Sequence, residues 1–170
     1  MKELSDAIII SWEIAAQEAA QLRSEFIEPE HFLLGLFSLE KIPDNQQISP
    51  EFHIEKMAFV NLLIKLGINP THVRHLIRIK IGMGVSEHHG VVHRSPECKK
   101  LFIRAKQISR SEVISCQDIF LAIIENPGDL ITTVFEDSKI DILSLQSLFV
   151  SSDFSDGQVN IEEIAEQANV

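Results

Sequence analysis

The stretch Leu4–Phe37, LSDAIIISWEIAAQEAAQLRSEFIEPEHFLLGLF, decides how the rest of the chain is read. Ala7, Ile10, Ile14, Ala15, Ala19 and Leu22 recur at three- and four-residue steps, the spacing of one helix face. Ser5 stands where an N-cap belongs, and Ala15–Ala20 is strong helix former throughout. Pro29 then suits the first position of a second helix, because its missing N–H is unpaired there anyway. His31–Phe37 is apolar nearly all round, which predicts a short helix buried on most sides.

Working outward, Lys41–Phe52 holds Pro43, Asp44, Asn45 and Pro50 and reads as a loop. A third helix is expected over Ile54–Leu66, stopped by Gly67, and a fourth over Thr71 to about Ile81, capped by Asn69 and opened by Pro70. Gly82–Arg94 carries three glycines and three histidines without helical period, and reads as a linker. The pattern then repeats. Ser95-Pro96 opens a helix with the stripe Leu101, Phe102, Ala105, Ile108. Ser115-Cys116-Gln117-Asp118 has capping-box form and leads into the apolar Ile119–Ile124. Leu130–Glu136 and a helix capped by Asp141, running to about Phe149, complete the second set.

The two sets superpose along the sequence. Ser5, Trp12 and Ala15 answer Ser95, Phe102 and Ala105, 90 positions on; Ile27 and Leu34 answer Ile114 and Leu121, 87 positions on. Such duplication predicts an all-α fold of two tandem four-helix repeats, related by a pseudo-two-fold and sharing one core. The expected organisation is repeat one over about 4–81, a linker over 82–94 and repeat two over about 95–150. The segment 41–52 reads as an insertion, and 151–170 as a flexible tail in which Asn160–Ala168 has a weak amphipathic pattern.

Composition narrows the function. In 170 residues, 45% are apolar and 24% charged, enough for a core that needs no staple. The net charge is −10 and uneven: residues 1–110 carry 14 bases and 13 acids, and 111–170 carry Lys139 against 12 acids. An acidic chain repels phosphate backbones, so nucleic acid is not an expected partner. The bases between Arg74 and Arg110 are a candidate local anion-facing patch. No apolar run approaches about 20 residues, so no membrane span is expected. The start, Met1-Lys2-Glu3-Leu4-Ser5-Asp6, lacks the basic opening of a signal peptide. With Cys98 and Cys116 too few for a disulfide framework, a cytoplasmic setting is expected.

Catalytic signatures are missing. No glycine precedes lysine, which excludes a Walker A loop, and there is no G-x-G-x-x-G, G-x-S-x-G, H-E-x-x-H or C-x-x-C. No enzyme and no cofactor is expected. His88, His89 and His93, beside Glu87, are the one metal candidate, and a metal-dependent hydrolase built on them is the enzymatic alternative. Their rival reading is a solvated, glycine-loosened loop. His31 reads either as one member of an acid–base pair with Glu30 or as a packed histidine bonded to backbone. Cys98 and Cys116 read as small buried hydrophobes.

The opening stretch, with Ser5, the Ala15/Ala19 spacing and then Ile27, Glu30, His31, Phe32, Leu33, Leu34 and Leu36, resembles the N-terminal repeat domain of Clp-family AAA+ unfoldases. The run LLIKLGINPTHVRHLI and the second repeat resemble it too, so the likeness covers about residues 4–150. The resemblance implies eight helices and a non-catalytic module. Such a module receives unfolded or tagged protein segments or adaptor proteins for a neighbouring Clp ATPase and its peptidase. A free-standing regulator that docks on a Clp ring or its peptidase is the alternative. In family members that recognise phosphoarginine, each repeat pairs a Ser/Thr at its first helix start with a glutamate at the second. Carried onto this chain, those positions are Ser5 with Glu30, and Ser95 with Gln117. Gln117 carries no charge for a guanidinium, and Asp118 stands where the family has histidine. An apolar groove between the repeats is the other surface the resemblance suggests.

Overall fold

The computed structural model describes residues 2–45, 47–87 and 90–148. A two-residue strand, β1 (Glu3–Leu4), leads into α1 (Asp6–Gln21), α2 (Pro29–Phe37), a 3-10 turn (Leu39–Lys41), α3 (Pro50–Lys65) and α4 (Pro70–Ile81). Residues 82–87 and 90–93 carry no helix or strand. The second set is α5 (Pro96–Ile108), β2 (Val113–Ile114), α6 (Cys116–Glu125), α7 (Gly128–Asp137) and α8, which covers 142–148. The fold is all-α.

The expected caps form. Ser5, Ser95, Ser115 and Asn69 each accept a backbone N–H of their helix's first turn, and Asp141 accepts from Ser144. Three details differ from the sequence reading. In α1 the residues fully inside are Ala7, Ile8, Ser11, Ala15 and Ala19, with Ile10 and Ile14 at the rim. The buried seam is rotated toward Ile8 and Ser11 because α2 lies so close there that only a small side chain fits. The helix read as Ile54–Leu66 starts at Pro50, with Ser49 as its cap. Pro50, taken as a loop residue, is instead the first-turn proline. The helix read as Leu130–Glu136 spans Gly128–Asp137.

α1 and α2 approach each other closely at Ser11 and Gly35. A Cβ on Gly35 would lie 2.2 Å from the carbonyl oxygen of Ser11, so only glycine fits. The Ser11 hydroxyl is satisfied by donating to the Ala7 carbonyl at 2.8 Å.

The repeats are stitched across one another. β1 pairs with β2 in parallel, Glu3 opposite Val113 and Leu4 opposite Ile114, and Ile27 bridges Arg94 in parallel. The Ser5 N–H donates to the Ile114 carbonyl, and the Ser95 N–H to the Ile27 carbonyl, both at 3.0 Å. These two bonds are the same bond under the 90- and 87-residue offsets. The third helices match at an offset of 72. Gly67 and Lys139 both end their helix with positive φ, 73° and 60°, and Asn69 and Asp141 cap the helices that follow. Neither set encloses its own core: one apolar cluster runs from Ala7 and Phe32 through Phe59 to Phe120 and Phe135. The seam on one face is filled by Trp12 and Phe102, 5.1 Å between ring centroids, with the Arg94 guanidinium 4.3 and 4.8 Å above the two rings.

Arg74 ties α4 to the end of α2. It is buried, and donates to the Phe37 carbonyl, to Glu40 at 3.0 Å and to the Thr71 hydroxyl at 3.0 Å. Arg74→Met keeps the apolar stem but strands a last-turn carbonyl. The expected loss is about 1–2 kcal/mol in urea-unfolding experiments, with no change in helix content by circular dichroism.

Candidate functional site

A cleft of 470 Å³ opens where the start of α2 meets α5 and the α6–α7 turn. Its floor is apolar, from Leu101, Ala122, Ile123 and Pro127; its walls carry Glu28, Glu30, Glu97 and Glu125 against Lys100 and Arg104. In the first repeat, the positions matching Leu101 and Ala122 are Ser11 and Gly35, which press together. The second repeat carries the bulkier Leu101 and Ala122 at these places, and both line the cleft.

The two cations of the wall are engaged. Arg104 holds Glu125 with Nε at 3.0 and 2.9 Å from its two oxygens, and Lys100 lies 3.3 Å from Glu97. The glutamates at the start of α2, Glu28 and Glu30, line the same cleft. Burial raises the Glu28 carboxyl above the ordinary range, opposed by the Ser95 hydroxyl and reinforced by Glu97. Burial also raises Glu30, opposed by its own backbone N–H and reinforced by Glu28. With Glu97 and Glu125 held by Lys100 and Arg104, Glu28 and Glu30 are the carboxyls left over in the cleft, and a cation placed beside them would favour their ionised form.

The serines read from the sequence pair differently from the expectation. Ser95 sits just before the start of α2, bonded to Ile27 and beside Glu28. Ser5 sits on the start of α6, the helix that carries Gln117. Each serine thus meets the helix start of the opposite repeat, because the strand pairing crosses the two-fold. Sequence offsets show which positions are equivalent but not which set a given position faces. Ser5 already has a partner that the sequence did not point to. Glu55 of α3 accepts the Ser5 hydroxyl at 3.0 Å and the Cys116 N–H at 2.8 Å.

The histidine reading divides. His31 is buried, takes the Glu28 N–H on Nδ1 at 2.9 Å and reaches the Ser24 hydroxyl with Nε2 at 3.1 Å. It is a capping residue, not one member of an acid–base pair. In α6 the carboxylate of Asp118 does the same work, accepting the Ser115 N–H at 2.9 Å. His88 and His89 lie outside the described residues. His93 is exposed, and its carbonyl accepts from Ile27 at 2.9 Å. Among the described residues no cluster of three His, Cys, Asp or Glu side chains is placed to hold a metal.

Of the bases between Arg74 and Arg110, those of α4 and Arg94 are taken up by neighbours. Arg74 is buried on Glu40, Arg78 pairs with Glu18 at 2.6 Å, Lys80 with Asp137 at 3.3 Å, and Arg94 covers Trp12. These four bases are therefore engaged, while Lys99 and Lys106 of α5 stand exposed. Both cysteines are buried, as read; burial pushes the Cys98 thiol up to about 12 and raises Cys116 as well. Among the described residues no helix is long and apolar enough to cross a membrane. The amphipathic pattern at Asn160–Ala168 lies outside the described residues.

No family model matches the chain, and no curated protein matches it. Among solved structures it is similar to the crystal structure of the Hsp104 N-terminal domain from Candida albicans, with a TM-score of 0.63 and 14% identity. The match covers 99% of this chain and 100% of that one. The fold is that of a Clp-type N-terminal domain.

Proposed function

We propose that this chain is a non-catalytic polypeptide-binding module that takes an extended, cation-bearing protein segment into the α2/α5/α6 cleft. On this reading it serves a Clp-type unfoldase or its adaptors in the cytoplasm. The observation that supports it is the pairing of an apolar floor, Leu101, Ala122, Ile123 and Pro127, with the carboxyls of Glu28 and Glu30. An arginine or lysine is amphipathic in the same way. Its stem lies on apolar surface while its head reaches a carboxylate. Nothing in the cleft resembles a nucleophile with its base, and the fold similarity points to binding rather than turnover.

The carboxylate excess also selects among segments. Phosphorylation of arginine would bring negative charge against Glu28 and Glu30, while Lys100 and Arg104 are already paired with Glu97 and Glu125. Unmodified cationic segments are favoured over phosphoarginine.

The test is fluorescence anisotropy with a short labelled peptide carrying an arginine between leucines. Binding is expected in the micromolar range, and Glu30→Gln should weaken it about tenfold, or about 1.4 kcal/mol. The phosphoarginine version should bind more weakly than the unmodified one. No binding of either peptide removes the proposal. Equal binding by Glu30→Gln and the parent moves the site elsewhere.

A further inference from the structure

The cleft has a symmetry-related twin, and the twin is shut. Under the offsets of 87, 90 and 72, the cleft residues Glu30, Leu101, Ala122 and Pro127 correspond to Gln117, Ser11, Gly35 and Glu55. The first three of these form the start of α6 and the tight α1–α2 approach. The fourth is decisive. α7 begins at Gly128, whose counterpart is Lys56, whereas α3 begins six positions earlier, at Pro50. The additional front of α3 lies over the start of α6. There Glu55 takes the Ser5 hydroxyl and the Cys116 N–H, while Pro127 leaves the equivalent place in the cleft unfilled.

That front is itself anchored. The Ser49 hydroxyl donates to Asp6 at 2.5 Å. Lys56, nearly buried, donates to the Ile42 carbonyl at 3.0 Å and to Asp44 at 2.5 Å, and His53 reaches Asp44 at 2.7 Å. The 41–52 insertion therefore folds against α3 and holds its first turns in place. The geometry points to Glu55 as the sealing residue of the twin. The insertion converts a two-fold scaffold with two equivalent clefts into one that offers a single cleft per chain, facing a single polypeptide segment. This deepens the binding reading above and rests on it for the identity of the guest, but the sealing itself can be tested separately.

Two experiments decide it. The first is titration of the isotope-labelled chain with the arginine–leucine peptide, followed by amide NMR. One equivalent is expected, with shifts at Leu101, Ala122 and Ile123 and none at Ser5, Cys116 and Gln117. Two equivalents, or shifts at the start of α6, overturn the inference. Absence of any peptide binding sinks the functional proposal instead, and the second experiment then decides the sealing alone.

That second experiment is alkylation with iodoacetamide under native conditions. In the parent chain both thiols should resist. Glu55→Ala should expose Cys116, raising its alkylation at least tenfold, while Cys98 stays protected. Glu55→Gln keeps the accepting oxygen and the bulk, so Cys116 should stay as protected as in the parent. Unchanged protection of Cys116 in Glu55→Ala, or its loss in Glu55→Gln, overturns the sealing role.

Discussion

Gly35→Ala is expected to destabilise the chain by about 3 kcal/mol or more, the upper range for forcing a methyl into a packed helix contact. The cause is a single approach. The new Cβ would stand 2.2 Å from the Ser11 carbonyl oxygen, and the obstacle is backbone, which cannot rotate away. Relief requires sliding α1 off α2, and these two helices frame Ala7, Ile8, Ala15, Ala19 and the whole buried run His31–Phe37. For a chain of this size the loss corresponds to roughly 6–12 °C in Tm. Differential scanning calorimetry reads it directly. The control is Ala122→Gly at the equivalent place in α6. That site already accommodates a methyl, so only the helix-propensity cost of about 1 kcal/mol and a small packing loss are expected. Equal losses at the two positions would show that the asymmetry between the repeats carries no energetic weight.

Lowering the pH should cost the fold about 2.5 kcal/mol between pH 7 and pH 4.5 through His31 alone. Burial holds its imidazole down at about 4, from an ordinary 6.5, with Glu18 pulling weakly the other way. The direction follows from proton counts. Between pH 4 and 6.5 the unfolded chain binds a proton at His31 and the folded chain does not. Stability therefore rises with pH across that window and is lost as pH falls through it. The structural reason is specific: Nδ1 must stay unprotonated to accept the Glu28 N–H, which leaves the ring proton on Nε2 for the Ser24 hydroxyl. Glu28 and Glu30, raised in the folded state, act in the opposite sense at the acidic end of the window. His31→Gln keeps an acceptor at the third helical position but cannot titrate. Urea midpoints for the parent and His31→Gln at pH 7 and pH 4.5 separate the terms. The parent should lose the more stability on acidification, and parallel losses would refute the assignment.

Local chemistry made much of the fold legible. Ser5, Asn69, Ser95, Ser115 and Asp141 are caps whose function depends on the few residues that follow them, so each could be read in place. Ser49 does not stand out as a cap because Pro43, Asp44, Asn45 and Pro50 together look like a breaker cluster, although Pro50 alone is a good first-turn residue. The duplication was legible because equivalent positions keep equivalent size, as with Trp12 and Phe102. The strands were not, since two residues have no period to detect. Long-range relations were also hidden. The seam of α1 rotates toward Ile8 and Ser11 because Gly35 sits opposite, a fact held in another helix. Glu30 was a sound candidate, but its neighbours Ser95 and Glu97 come from the other repeat. Glu55 gives no sign in the sequence, being one acid in a helix that begins at Pro50, four residues before the start the pattern suggests. Arg74, Arg78 and Lys80 read as part of a basic patch because their acidic partners, Glu40, Glu18 and Asp137, are far away in the sequence.

The crossed pairing of Ser5 with Ile114 and Ser95 with Ile27 means that neither half owns a complete edge. Severed in the glycine-rich stretch after α4, the chain becomes two fragments, each with an unmet backbone ribbon and a bare apolar flank. Mixed in equal amounts, the fragments should reconstitute the native particle. Tethered too tightly, two whole chains should trade halves and form an interlocked pair.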